Sequence, residues 1–387
     1  MVVGAGLAGV RTAAELRAQG YEGRLTLLGA EQGPPYDRPP LSKRVLLAGG
    51  EPDLIDPTWL EGVDLRTGVT VTAVRPGTLT STAGDEPWDG LVLAVGALPR
   101  RLAGSDGGAY LLRTAADAIR LRAALVPGAH VVVVGAGWIG AEVATAAAHR
   151  GCTVTVLEAG VAPLVTALGP TAGGWTVPWY AEAGVTLRTG AAVAGVDSRG
   201  VGLAGGGRVD ADVVVEAVGV RPQLDWLAGS GIEVDPASGG VVVDEAARST
   251  LPGVVAVGDC AARWSPRTGR RVRTEHWDDA LRAPTVAAAT LLGTPAVYDP
   301  VPYVWSEQFG RYLQWIGWRS DGPAVRRGDP AAPTGWAAGW LDSAGRLTGL
   351  LTVDRQKDAM QARRVVDAGR VVDPDRLADP DVPIRSL

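Results

Sequence analysis

Short apolar runs alternate with helix-period stretches along the first two thirds of the chain. The clearest run, HVVVV at 130–134, is typical of a parallel strand that is buried on both faces. Shorter apolar runs recur at 91–95, 213–218, 240–244 and 254–257. Strands that alternate with helices in this way predict an α/β fold built on parallel sheets.

The first 31 residues contain a complete strand–turn–helix–strand unit. A short apolar start is followed by Gly4-Ala-Gly6-Leu-Ala-Gly9, a helix-period stretch at 10–19, a strand at 24–28 and the acidic Glu31. Glycines at these positions allow a tight turn and a close backbone approach. The N-terminus of the helix then offers free N–H groups to a pyrophosphate, so the unit predicts a dinucleotide site.

A second copy of this unit begins after the apolar run at 130–134. Gly135-Ala-Gly137-Trp-Ile-Gly140 leads into a helix through 148, and a strand at 153–157 ends at Glu158. Glu158 lies 18 residues beyond Gly140, close to the spacing expected for a carboxylate that binds a ribose 2′-OH. One glycine motif is weak evidence, but two copies in full context argue against a chance match. The chain is predicted to bind two dinucleotides, one resident and one exchanged.

The last 80 or so residues change in character. Tryptophans at 305, 315, 318, 336 and 340 are spread over alternating segments, and two helix-like stretches follow near 356–368 and 374–378. The pattern predicts a separate α+β domain. Its tryptophans suit either an electron-exit surface or, more commonly, core packing.

Composition and charge exclude several classes of protein. A net charge of −5 argues against nucleic-acid binding, and no apolar stretch approaches the 18 residues of a membrane span. We expect neither a membrane anchor nor a secretory signal, and therefore a cytoplasmic protein. The two cysteines, Cys152 and Cys260, are far apart, which excludes a disulfide framework, a cysteine zinc site and a paired-cysteine redox centre. Only two lysines occur, Lys43 and Lys357.

Taken together, these motifs resemble the FAD-dependent NAD(P)H:ferredoxin reductases of the putidaredoxin reductase type. The resemblance runs almost end to end. It rests on both glycine motifs and on the segments PYDRPPLSK at 35–43, LRT at 112–114, STLPGVVAVGD at 249–259, EHW at 275–277 and PYVWSEQ at 302–308. It implies an α/β protein with two Rossmann-like dinucleotide-binding domains, for FAD and NAD, plus a C-terminal α+β interface domain.

The same resemblance predicts how the domains follow one another. Residues 1–110 and 236–303 form the FAD-binding domain in two parts, 111–235 the NAD-binding domain, and 304–387 the C-terminal domain. The residues implied for FAD are Gly4, Gly6, Ala8, Gly9, Glu31, Arg38, Lys43, Val71, Ala94, Gly96, Arg113, Gly258, Asp259 and Trp277. Those implied for NAD are Gly135, Gly137, Ile139, Gly140, Glu142, Glu158 and Gly219.

Two acidic residues carry most of the predicted chemistry. The resemblance implies that Glu142 pairs with Lys43 beside the flavin and the nicotinamide, where a lysine stabilises an anionic reduced ring by Coulomb attraction. An ordinary surface salt bridge is the alternative. Glu158 accepts hydrogen bonds from a 2′-OH but repels a 2′-phosphate, so we expect NADH to be preferred over NADPH.

The sequence departs from the family pattern in four places. Only three residues precede Gly4, which predicts a short central strand. Ala30 stands where an acid is usual, with Glu31 next to it, and Asp354 stands where asparagine is common. Gly173, Gly174 and Pro178 should break a helix that is continuous in the family, with an effect on the NAD site.

We therefore expect an NADH-dependent FAD flavoprotein that passes electrons to a [2Fe-2S]-type ferredoxin serving a P450 or Rieske oxygenase. Five arginines at 263–273 either steer an acidic ferredoxin or form a solvated loop. Two alternatives stay open: a flavoenzyme of the same fold that acts directly on a small organic substrate, and an NADH-sensing binding protein.

Overall fold

The computed structural model describes residues 1–387, which form nine α-helices and 25 β-strands. The helices are α1 (Leu7–Ala18), α2 (Arg44–Ala48), α3 (Ala115–Ala124), α4 (Trp138–His149), α5 (Val165–Gly174), α6 (Val177–Glu182), α7 (Trp277–Leu291), α8 (Gln356–Asp367) and α9 (Pro374–Ala378). None of them is long and apolar enough to span a membrane.

The strands through the first two thirds of the chain are β1 (Val2–Val3), β2 (Thr26–Gly29), β3 (Asp64–Thr67), β4 (Val71–Arg75), β5 (Thr78–Ser81), β6 (Gly84–Pro87), β7 (Leu91–Leu93), β8 (Leu98–Pro99), β9 (His130–Val134), β10 (Thr153–Leu157), β11 (Val185–Arg188), β12 (Val193–Asp197), β13 (Gly200–Leu203), β14 (Arg208–Asp210), β15 (Val213–Glu216), β16 (Val220–Arg221), β17 (Val241–Val243) and β18 (Val254–Ala256). The remaining strands are β19 (Ala261–Ser265), β20 (Arg270–Val272), β21 (Tyr303–Gln308), β22 (Arg311–Gly317), β23 (Val325–Arg327), β24 (Trp336–Leu341) and β25 (Leu347–Val353).

The chain divides into two compact units. The first unit contains residues 1–37, 52–98 and 220–300, and the second contains 38–51, 99–219 and 301–387. Each unit includes one of the two glycine motifs followed by its helix.

The first unit is built on a parallel sheet in the order β18-β7-β1-β2-β3. The short central strand that the sequence predicts is confirmed, since β1 has two residues and pairs with β2 on one side and β7 on the other. Val2 and Leu27 pack on the side of α1 and α7, whereas Val3 and Leu28 pack against β4 and β5. Because strand side chains alternate between faces, two residues of β1 are enough to serve both layers.

The second unit contains the parallel sheet β11-β10-β9-β15 and the antiparallel sheet β21-β22-β25-β24-β23. The predicted C-terminal α+β domain is thereby confirmed. One face of its sheet packs against α8 through residues such as Ile316 and Leu350. The opposite face carries Trp315, Trp336 and Trp340, which are buried against α5 and α6. These three tryptophans are core residues.

The break predicted at 173–178 is present, but its geometry differs from the prediction. Gly169 has φ +76° and kinks α5, while Gly173 and Gly174 stay helical. A Cβ at Gly173 would lie 2.2 Å from the Pro163 carbonyl oxygen, so this glycine serves close packing. The chain restarts as α6 with Pro178 in its first turn, where proline is tolerated.

Candidate active site

The glycine loop of the first unit forms a cradle in front of α1. Gly4 has φ +106°, and a Cβ there would lie 2.3 Å from the Ala94 carbonyl oxygen. A Cβ at Gly9 would lie 1.8 Å from the Gly4 carbonyl oxygen. A Cβ at Gly6 would meet no atom within 4 Å, and no side chain caps the helix at this position. Free helical N–H groups facing open space fit the diphosphate of FAD.

The end of β18 approaches the same helix. Gly258 has φ +69°, and a Cβ there would lie 3.0 Å from the Cβ of Ala8 in the first turn of α1. Asp259 follows in a 3₁₀ turn, and Arg273 donates to its backbone carbonyl oxygen at 3.3 Å. Gly96, with φ +66°, follows β7 in the same sheet. The carboxyl edge of a parallel sheet is where ligand-binding side chains collect.

Two more residues predicted for FAD lie in the first unit. Trp277 begins α7, and its indole N–H donates to Asp37 Oδ1 at 2.8 Å. Burial lowers the pKa of the neighbouring His276 to about 4, against the opposing effect of Asp259. Val71 is buried at the start of β4.

Glu31, the acidic residue that follows β2, lies beyond the end of the strand. A Cβ at Gly29 would come within 2.7 Å of the Cβ of Ala5, so the glycine loop leaves no room for a side chain there. Ala30 follows, and Glu31 Oε2 accepts a hydrogen bond from the Tyr36 hydroxyl at 2.5 Å. The carboxylate of Glu31 is thus oriented by a side chain from the adjoining segment.

The glycine loop of the second unit repeats the first. Gly135 has φ +103°, and a Cβ there would lie 2.5 Å from the Ala217 carbonyl oxygen. A Cβ at Gly140 would lie 2.0 Å from the Gly135 carbonyl oxygen, whereas Gly137 faces open space before uncapped α4. Ile139, in the first turn of α4, is 44 % exposed. This loop also fits a diphosphate.

Glu158 is held against that loop by two backbone N–H groups. Its Oε2 accepts from Ala136 at 2.7 Å and its Oε1 accepts from Gly160 at 2.7 Å. A carboxylate fixed in this way can accept further bonds from ribose hydroxyls and opposes a 2′-phosphate. Gly219, which follows β15, has φ +94°, and its carbonyl oxygen accepts from the backbone N–H of Arg100.

The predicted pair of Lys43 and Glu142 is formed within the second unit. Lys43 Nζ lies 2.9 Å from Glu142 Oε2, and the side chain of Glu142 is 2 % exposed. Ser42 also donates to Oε2, and Ser306 donates to Oε1 at 2.5 Å. A carboxylate this buried, with donors on both oxygens, is a fixed negative partner for the ammonium group and not a surface salt bridge.

The two serines of this cluster were not predicted as site residues. Ser42 immediately precedes Lys43, and Ser306 lies in the WSEQ segment, so both belong to motifs that carried the resemblance. Their role could not be inferred because it depends on contacts between residues 100 and 164 positions apart.

Arg38 and Arg113, two positions implied for FAD, are neighbours in the second unit. Arg38 Nη1 donates to the Arg113 carbonyl oxygen at 2.6 Å. A capping box follows, in which Thr114 and Asp117 close the start of α3. The segment 38–51 is thereby fixed to the chain before α3.

The arginine-rich segment is a β-hairpin, and Arg267, Arg270 and Arg271 are exposed on it. Its strands are β19 and β20, and four of its five arginines bond inside the first unit. The contacts are Arg263 with the Asp279 carboxylate, Arg267 with the Asp299 backbone carbonyl, Arg271 with the Val243 carbonyl, and Arg273 with Glu275 and the Ser238 carbonyl. Of these four, Arg263 and Arg273 form ion pairs with carboxylates.

Asp354, where the family often has asparagine, is explained by its backbone. It has φ +54°, a region in which Asn and Asp are the favoured residues after glycine. Its Oδ1 accepts the backbone N–H of Tyr312 at 2.8 Å. An amide oxygen would do the same, so the substitution conserves the structure.

Comparison with known proteins agrees with this geometry. Residues 1–283 match the model of the pyridine nucleotide-disulphide oxidoreductase family, and residues 303–387 match that of the reductase C-terminal family. The anthranilate 1,2-dioxygenase system ferredoxin–NAD(+) reductase component of Burkholderia cepacia is 37 % identical over 95 % of this chain and 94 % of its own.

Two solved structures resemble the whole chain. The crystal structure of Fdr9 has a TM-score of 0.93 at 49 % identity, covering 99 % of this chain and 98 % of that one. The covalent putidaredoxin reductase–putidaredoxin complex also has a TM-score of 0.93, at 31 % identity, covering 100 % of this chain and 96 % of that one. The resemblance to the putidaredoxin reductase type is confirmed, and the chain belongs to the pyridine nucleotide-disulphide oxidoreductase family.

Proposed function

We propose that this protein is an FAD-containing NADH:ferredoxin reductase that supplies electrons to an oxygenase. The observation that carries the proposal is the pair of matched glycine cradles, each open in front of an uncapped helix. The printed names of the relatives support it, since the Burkholderia cepacia protein is the reductase component of a dioxygenase system. The putidaredoxin complex supports a ferredoxin as the partner.

The predicted site residues divide between the two nucleotides. FAD would be held by the diphosphate cradle of Gly4, Gly6, Ala8 and Gly9, with Glu31, Arg38, Val71, Ala94, Gly96, Arg113, Gly258, Asp259 and Trp277 along its length. NADH would be held by the cradle of Gly135, Gly137, Ile139 and Gly140, with Glu158 on the adenosine ribose and Gly219 at the end of β15. Bound FAD would supply the chemistry that connects a two-electron hydride donor to one-electron acceptors.

Lys43 and Glu142 are the proposed catalytic pair. Lys43 would present a positive charge that stabilises the negative charge arriving with the hydride, and Glu142 holds this ammonium group in position. Each NADH delivers two electrons, so one turnover reduces two one-electron ferredoxins and leaves NAD⁺ and a proton.

The cysteines support the flavin as the point of electron exit. Both thiols are free, and burial raises the pKa of Cys260 to about 11, which keeps it protonated and unreactive. We propose that electrons leave directly from the flavin to a [2Fe-2S]-type ferredoxin. We also propose a cytoplasmic location and the predicted domain limits: 1–110 with 236–303 for FAD, 111–235 for NAD, and 304–387 for the C-terminal domain.

The experiment that tests the function is an anaerobic reduction followed by addition of a carrier. The FAD-reconstituted protein is mixed with NADH, and the visible flavin absorbance is followed before and after adding oxidised [2Fe-2S] ferredoxins. Rapid bleaching, followed by ferredoxin reduction, is expected. Bleaching that only a small organic substrate reverses would favour a direct flavoenzyme. A reduced flavin that persists in air and ignores ferredoxins would favour an NADH sensor.

A further inference from the structure

The buried carboxylate of Glu142 depends on a residue of the C-terminal domain. Oε2 accepts hydrogen bonds from Lys43 Nζ and the Ser42 hydroxyl, and Oε1 accepts one from the Ser306 hydroxyl at 2.5 Å. Ser306 lies on β21 and is fully buried. Losing a donor to a buried anion costs far more than losing a neutral surface hydrogen bond.

A second residue of β21 sets the direction of this bond. Gln308 Nε2 donates to Ser306 Oγ at 2.9 Å, and Gln308 is 1 % exposed. A serine hydroxyl has one proton, and the ionised carboxylate of Glu142 can only accept. Ser306 therefore donates its hydroxyl hydrogen bond to Glu142 and accepts one from the amide of Gln308. The hydrogen bonds from Gln308 through Ser306 and the hydrogen bond from Lys43 thus converge on the Glu142 carboxylate.

The hairpin that carries these residues is fastened to the helix that carries Glu142. Its turn has Phe309 at φ +51° and Gly310 at φ +75°. The backbone N–H of Phe309 donates at 3.0 Å to Thr145, which follows Glu142 by one turn of α4. Beyond the turn, Arg311 pairs with Glu182 at 2.5 Å. Because this turn is anchored, Ser306 stays within reach of Oε1.

We infer that Ser306 and Gln308 are positioning residues for hydride transfer, through which the C-terminal domain fixes the Glu142 carboxylate and so the ammonium group of Lys43. The inference rests on the proposed function, because it assigns these residues to the same reduction step. Without the anchor on Oε1, the carboxylate can rotate, and Oε2 leaves Lys43.

The first test measures hydride transfer in matched variants. Ser306→Ala and Gln308→Met remove the two donors, and Thr352→Val removes a buried hydroxyl of the same sheet that has no hydrogen-bond partner. In anaerobic mixing with NADH, we expect the limiting rate of flavin reduction to fall about tenfold for Ser306→Ala and less for Gln308→Met. The dissociation constant of NADH from the same titration should stay unchanged. Ser306→Thr, which keeps a hydroxyl, should recover most of the rate.

The second test probes the surroundings of Lys43 by chemical labelling and does not depend on enzyme turnover. The chain has two lysines, so acylation of Lys43 can be compared with that of exposed Lys357 in the same sample by mass spectrometry. Ser306→Ala should raise the Lys43:Lys357 ratio several-fold, because a Lys43 side chain that is no longer held 2.9 Å from Glu142, at 16 % exposure, is more accessible to the reagent. Thr352→Val should leave the ratio at the value of the unmodified protein.

The two tests separate this inference from the proposed function. A protein that NADH never reduces would contradict the proposed function, while the labelling ratio would still report on Ser306. Ser306→Ala with an unchanged ratio and an unchanged reduction rate would overturn the inference. Equal losses in Ser306→Ala and Thr352→Val would also overturn it, since they would indicate general damage to the sheet.

Discussion

The two glycine loops have the same backbone but hold their acidic residues differently. Gly4 and Gly135 adopt φ +106° and +103°, and a Cβ at either would lie within 2.5 Å of a carbonyl oxygen of a neighbouring strand. Leu28 pairs with Val3 in the first unit and Leu157 with Val134 in the second. By this register, Gly29 is the counterpart of Glu158.

The residue at this position, Gly29 in the first unit and Glu158 in the second, distinguishes the two sites. Glu158 has room for a side chain, and its carboxylate accepts the N–H of Ala136 inside the loop. At Gly29, the loop approaches so closely that a Cβ would meet Ala5 at 2.7 Å. The nearest acid, Glu31, is two residues further on. The glycine pattern thus specifies the diphosphate cradle, whereas recognition of the adjoining ribose depends on how closely the loop passes the next strand.

The strongest way to separate the two sites is to fill each cradle with one methyl group. Gly9→Ala would put a Cβ 1.8 Å from a backbone oxygen, and Gly140→Ala would put one at 2.0 Å. Neither loop can yield without moving the helix start, so we expect binding of the corresponding nucleotide to weaken by at least about 100-fold. Gly9→Ala should purify without FAD. Gly140→Ala should retain its FAD. Dithionite should still reduce that FAD, whereas NADH should not.

Gly205→Ala provides the control for that pair, because its Cβ would meet no atom within 4 Å. It should match the unmodified protein in FAD content and in reduction by NADH. If Gly9→Ala kept its FAD and lost only reduction by NADH, the assignment of the two cradles would be reversed.

These cradles could be predicted because their requirements are local. A glycine at φ +106° and a missing Cβ at Gly9 are properties of the loop itself, so six residues of sequence are sufficient. The position of the acid was not predictable to the residue. It depends on the pairing of β1 with β2 and on the approach of Ala5 to Gly29, neither of which the pattern of polar and apolar residues shows.

The next prediction concerns the positive charge of Lys43 in the second unit. Lys43→Met keeps the length of the side chain but removes the ammonium group that pairs with Glu142 at 2.9 Å. Because a fixed charge near the reacting atoms contributes most when solvent is excluded, we expect flavin reduction by NADH to slow about 100-fold with FAD content unchanged. Lys357→Met, at an exposed position on α8, is the matched control and should have no effect. A Lys43→Met protein that is reduced at the normal rate would leave the pair with a structural role only.

A smaller effect is expected from the difference between Glu158 and Glu31. Glu158→Gln removes the charge and one acceptor oxygen, so we expect the KM for NADH to rise about tenfold and the preference over NADPH to shrink. Glu31→Gln, in the other unit, should leave the NADH:NADPH ratio unchanged and lower the affinity for FAD. Steady-state kinetics with both nucleotides measure the first effect, and FAD titration of the apoprotein measures the second. Equal changes in nucleotide preference for both variants would contradict the assignment.

Long-range contacts set the other limit on prediction. The RPPLSK and WSEQ segments are recognisable as motifs in the sequence. The sequence does not show that Ser42 of one segment and Ser306 of the other both donate hydrogen bonds to Glu142. The hairpin at 261–272 shows the same limit in another form. The sequence left the role of its arginines open, because Asp279, the carboxylate partner of Arg263, is 16 residues away. Charge in a segment does not reveal whether that charge is already compensated by the fold.

The last prediction uses pH to distinguish the units. Burial lowers the pKa of His276, at the start of α7 in the first unit, from 6.5 to about 4. Between these values the unfolded chain binds a proton that the folded chain does not, so stability falls as the pH drops from about 6.5 to about 4 and then levels off. The full shift corresponds to about 3 kcal/mol, and we expect about 2 kcal/mol because His276 as a residue is half-buried.

Urea unfolding at fixed pH values between 4 and 7 tests this effect. His276→Gln should flatten the fall in unfolding free energy over that window, whereas His149→Gln, at an exposed position on α4 of the second unit, should keep it. Burial also raises the pKa of Asp279, which acts in the opposite direction because the folded chain then binds the extra proton. A slope that persisted in His276→Gln would assign the acid sensitivity to other groups and would remove this distinction between the units.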